Sequence, residues 1–75
     1  MKQSQFDQDM IKLFEIKKNN YSFKKSIKSV IDFDSINQLN LLSYFDKKGV
    51  TASVEDLNKM KKFSDIYRFL IKRRK

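Results

Sequence analysis

The chain reads as all-α, with three principal helices, one short helix and a long loop after the first. Three observations predict it. Apolar residues recur at helical spacing in three separate stretches, strand-type alternation is absent, and Pro is missing with Gly confined to position 49. At 75 residues there is room for one small domain, 1–75, with a modest core. Chains of this size bury only about 60% of their unfolded surface.

Each element has its own signal. Ser4-Gln5-Phe6-Asp7 fits a capping box, and Phe6, Met10, Leu13 and Phe14 (or Ile16) then predict a first helix over about 5–18, ended by Lys17-Lys18-Asn19-Asn20. Tyr21 to Phe33 has no clean period. A helix over 22–31 and a long loop pinned by a few apolar side chains both fit that stretch. From Asp34 the pattern sharpens: Ile36, Leu39, Leu42 (with Leu41) and Phe45 at i, i+3, i+6 and i+9 form a stripe on one helical face, which predicts a helix over about 35–48 with Ile36, Leu39 and Leu42 turned into the core and Gly49 as its stop. Ser53-Val54-Glu55-Asp56 is a second capping box, opening a short helix with Val54, Leu57 and Met60 inward. Phe63, Ile66, Tyr67, Leu70 and Ile71 form a last amphipathic helix that ends in Lys72-Arg73-Arg74-Lys75.

Inventory excludes much chemistry. Without Cys or His there is no disulfide, thiolate metal site or imidazole base. A single glycine cannot build a glycine-rich phosphate loop. The early apolar residues are spaced by charges and the longest apolar run falls far short of a membrane span, so a soluble, cytoplasmic protein is expected.

The net charge of +8 is unevenly placed. Residues 1–30 carry seven Lys against Asp7, Asp9 and Glu15, and residues 59–75 carry eight Lys or Arg against Asp65. Between them, Ser29 to Asp46 holds no cation, only Asp32, Asp34 and Asp46. Lys59, Lys61, Lys62, Arg68, Lys72, Arg73, Arg74 and Lys75, with Tyr67 and Phe69 to stack, give one functional class: a small basic helical nucleic-acid-binding module.

The other class starts at Asp34-Ser35-Ile36, where an acid and a hydroxyl precede a long helix. Helix starts expose unpaired N–H groups and favour phosphate. With the helix ending near Gly49, then Ser53-Val54-Glu55-Asp56-Leu57 and Phe63-Ser64-Asp65-Ile66, the chain resembles an acyl carrier protein over most of its length. The resemblance implies a four-helix bundle with a 4′-phosphopantetheine arm, drawn from coenzyme A, on Ser35. Asp34 matches the motif's aspartate and Ile36 its apolar third residue. It implies a monomeric carrier rather than an enzyme, holding acyl or aminoacyl cargo as a thioester. Its partners are then a phosphopantetheinyl transferase and the enzymes that load and transfer the cargo.

The chain departs from the family's pattern in three places. Asp32 stands two residues before the motif's aspartate, where carriers usually have glycine. The long helix exposes Asn37, Gln38, Asn40, Ser43, Tyr44, Asp46, Lys47 and Lys48 instead of a row of acids, and the chain as a whole is basic. A specialised biosynthetic pathway is expected rather than housekeeping fatty-acid synthesis. If Lys47 and Lys48 lie beside the arm, partner surfaces there are neutral or acidic.

Overall fold

Helix ends set the layout of this chain, and both longer N-terminal helices stop in the same way. In a computed structural model of the protein, residues 2–73 are described. The first helix, α1, spans Gln3–Leu13 and buries Phe6 and Met10. After it, the Ile16 N–H donates to the Ile11 carbonyl at 2.9 Å and the Glu15 N–H to the Lys12 carbonyl at 3.4 Å. Glu15 sits between them at φ 53°. This is a Schellman ending, usually made by glycine. The expected helix over 5–18 therefore stops five residues early, because a glutamate in the left-handed position gives no local warning. The expected capping box at Ser4 does not form either. The Phe6 N–H donates to the Lys2 carbonyl at 3.1 Å, which draws Ser4 into the helix. Asp7 instead accepts the Tyr21 hydroxyl.

The segment that follows is mostly loop. It holds one 3₁₀ turn, Lys18–Asn20, and one short helical turn, α2, Ile27–Val30. Aromatic rings pin it down. Tyr21 packs on Phe63 with centroids 4.9 Å apart, and Phe23 meets Phe6 and Tyr67 edge-on at 6.2 and 5.6 Å. Its backbone is also tied to the far end of the chain. Ile27 N–H donates to the Lys61 carbonyl, while Phe63 and Ser64 donate back to the carbonyls of Lys25 and Phe23.

The longest helix, α3, spans Ser35–Lys47. Gly49, at φ 77°, makes its Schellman ending, with Val50 N–H on the Phe45 carbonyl at 2.9 Å and Val50 itself buried. The buried side carries Leu41, Tyr44 and Phe45. Ile36 and Leu39, expected inward, are 69% and 64% exposed. The reason is geometric: a spacing of three falls short of a full turn by about 60°, so over nine residues the stripe winds to the opposite side. Tyr44, expected at the surface, is correspondingly buried.

A short helix, α4, Val54–Asn58, starts from the expected Ser53–Asp56 capping box. Leu57 and Met60 turn inward, but Val54 stays 46% exposed. The last helix, α5, Phe63–Arg73, buries Phe63, Ile66 and Leu70 and leaves Ile71 largely exposed. Arg74 and Lys75 lie outside the described residues. One hydrophobic core gathers side chains from all five helices. The protein is all-α. Among the described residues the only β-type pairing is an isolated antiparallel bridge between Ser26 and Lys62.

Candidate functional site

Ser35 is the first residue of α3, and its position is enforced from both sides. Asp34, in extended backbone, accepts the Asn37 N–H on its carboxylate at 3.0 Å and so caps the helix. The side chains of Asn37 and Gln38 reach back over the cap. Asn37 Nδ2 donates to the Asp32 carbonyl at 2.5 Å, and Gln38 Nε2 to the Phe33 carbonyl at 3.3 Å. The approach to the serine is thus clamped to the first turn. Ser35 and Ile36 are exposed, and among the described residues no hydrogen bond engages the Ser35 hydroxyl. The N–H groups of Ser35 and Ile36 have no acceptor within the helix, which leaves partial positive charge at the serine.

Beside this turn lies a cavity of about 320 Å³. Phe33, Leu57 and Met60 give it an apolar wall, and Ser26, Lys28, Gln38, Asn58 and Lys61 a polar one. Gln38 belongs to both features: it clamps Phe33 and lines the cavity. The sequence presents Asn37 and Gln38 only as neutral surface positions. Their one sequence signal is two amides in the first turn of a capped helix, and its meaning depends on where the preceding chain runs.

The three sequence-predicted site residues, Asp34, Ser35 and Ile36, stand together at the surface. Lys47 and Lys48 do not join them. Twelve residues of helix separate Lys47 from Ser35, about 18 Å along the axis.

The basic C-terminal region has a different character. Lys59, Lys61, Lys62, Arg68, Lys72 and Arg73 are exposed. The two rings proposed for stacking are engaged in packing. Tyr67 lies 5.1 Å from Phe6, and Phe69 lies 5.4 Å from Phe45 with Arg73 over its outer face. Elsewhere, burial first and then the bond to Asp7 push the Tyr21 phenol well above its ordinary range, so it remains a donor.

Among the described residues no group of three or more Asp or Glu could hold a metal ion, and no helix is long and apolar enough to cross a membrane. No family model matches the chain, and neither a curated protein nor a solved structure matches it.

Proposed function

We propose that this protein is an acyl or aminoacyl carrier whose Ser35 hydroxyl accepts a 4′-phosphopantetheine arm. One observation carries the reading: an exposed, unengaged serine is the first residue of the longest helix, behind an aspartate cap, in a small all-α chain. In this reading α1, α3, α4 and α5 are the four helices of a carrier bundle, and α2 is a turn within its long loop.

The residues present suit such a group. A phosphodiester on Ser35 would be held near the free N–H groups of the first turn, where anions are favoured by roughly 0.3–1 kcal/mol. The Asp34 carboxylate is held on the Asn37 N–H, so its position beside the serine is fixed. Attachment forms the Oγ–phosphorus bond and breaks the pyrophosphate bond of coenzyme A. Adenosine bisphosphate leaves, and the serine proton passes to a base on the transferase. Once bound, the arm supplies the thiol that this Cys-free chain lacks, and with it a thioester to acyl cargo. The chain's own residues hold and present it, and partner enzymes do the chemistry. The cavity lined by Phe33 and Gln38 adjoins the turn that carries Ser35 and would be the place to shelter a short cargo.

The test is direct. Incubating the apo protein with coenzyme A, Mg²⁺ and a broad-specificity phosphopantetheinyl transferase should add the mass of one phosphopantetheine. Ser35→Ala should gain nothing. An unchanged mass for the wild type, or an equal gain in Ser35→Ala, refutes the proposal.

A further inference from the structure

A surface with two chemically different ends runs along α3. At about 100° per residue, Ile36, Asn40, Ser43 and Lys47 share one side of the helix, with Leu39 beside them. Ile36 and Leu39, the most exposed large apolar side chains among the described residues, stand at the Ser35 end. Asn40 and Ser43 are exposed and uncharged in the middle. At the far end, Lys47 enters an open groove of about 370 Å³ whose floor is Leu13 and Tyr44 and whose cations are Lys12, Lys47 and Lys48. The groove's one acid, Asp9, is committed. It accepts the Tyr44 hydroxyl at 2.9 Å and pairs with Lys48 at 3.8 Å, while Lys48 also lies over the Tyr44 ring. Lys12 and Lys47 are exposed and form no ion pair among the described residues.

We infer that the proteins acting on Ser35 dock along this face with an apolar socket over Ile36 and Leu39 and an acidic patch set into the Lys12–Lys47 groove. The inference rests on the carrier reading and adds the chemistry of the partner to it. Two exposed apolar side chains one turn apart give a partner grip but no direction. The uncompensated cations at the far end, with Lys47 about 12–17 Å along the axis from those two side chains, supply the direction, because an acidic patch can meet them only when the socket lies over the Ser35 end. Nucleic acid is the poorer occupant. A phosphate backbone laid along the same face meets Asp46 beside the groove and Asp34 and Asp32 at the other end, and no further cation between.

The test uses one broad-specificity phosphopantetheinyl transferase in two forms, one with basic residues around its active-site mouth and one with those residues changed to glutamate. At low salt the wild-type chain should react faster with the acidic form, by at least about tenfold in kcat/KM, the lower end of the range for electrostatic steering. The preference should fade at high salt and shrink several-fold in the Lys12→Glu/Lys47→Glu variant. Both lysines are exposed, so the variant should keep the wild-type circular dichroism spectrum. The same preference in wild type and variant overturns the docking inference while leaving Ser35 as the attachment point. No modification of Ser35 by either form overturns the carrier reading, and the inference with it. Nucleic-acid binding that is lost in the variant, with transfer rates unchanged, assigns the groove to phosphate and also overturns it.

Discussion

Leu39 and Leu41 are two residues apart on α3 and face opposite environments. Leu41 is fully buried, and Leu41→Ala should cost about 2–5 kcal/mol through lost burial and the cavity left behind. Leu39→Asp, at a largely exposed position, should change stability by no more than about 0.5 kcal/mol. Urea unfolding of the two variants measures the difference, and equal losses would mean that Leu39 belongs to the core. The same Leu39→Asp protein should be modified on Ser35 much more slowly if that side chain seats the transferase. Asp34 and Ser35 were readable from sequence because an N-cap and the residue after it are local features. Ile36 and Leu39 face outward although their spacing predicts the core, because a spacing of three winds around the helix instead of running straight along it. The clamp of Asn37 and Gln38 was hidden for another reason. Its acceptors, the Asp32 and Phe33 carbonyls, come into reach only once the loop's path is known.

Among the elements, α5 shows how a helix start can depend on charge and on distant backbone at once. Its first N–H groups, Phe63 and Ser64, are taken by loop carbonyls. The carboxylate of Asp65 accepts the N–H of Lys61 and of Lys62, each at 3.0 Å. Those bonds, that from Lys62 first, hold the Asp65 carboxyl below its ordinary value, with Arg68 helping. A depressed native value means that the stabilisation is complete above the unfolded carboxylate pKa of about 4 and is lost as pH falls through the native one. Asp65→Asn should therefore lower stability at neutral pH, by about 1 kcal/mol as for other lost caps, and flatten the stability profile below pH ~4. Thermal melts from pH 2 to 7 check this; parallel profiles for variant and wild type would remove Asp65 from the account. Helix boundaries were legible where glycine or a capping box marked them, at Gly49 and Ser53. They are illegible at Glu15, a left-handed residue between the buried Phe14 and Ile16 that no glycine marks.

Across the whole molecule the charge balance opposes compaction. Seventeen Lys and Arg face nine Asp and Glu, and among the described residues only Lys48–Asp9 and Arg68–Asp65 form ion pairs, both at 3.8 Å. Such partly exposed pairs contribute little. The protein measures 32 × 27 × 17 Å, and at 0.01 M salt the screening length of about 30 Å spans it, so most cations repel one another across the fold. At 1 M the length falls to about 3 Å and that repulsion is confined to immediate neighbours. Relief of even about 1 kcal/mol corresponds to a rise in Tm of roughly 4–8 °C for a chain of this size. Tm should therefore climb as NaCl is raised from 0.01 to 1 M, an interval chosen for those two screening lengths. Neutralising Lys61 and Lys72, both exposed in the cation-rich C-terminal region, should raise Tm at low salt and shrink the response. A flat or falling salt profile would mean that the excess charge lies too far apart to matter, and the same double variant would then leave Tm unchanged at every salt concentration. The salt response also separates stability from docking, because steering by the Lys12–Lys47 groove weakens with salt while the fold that presents it grows firmer.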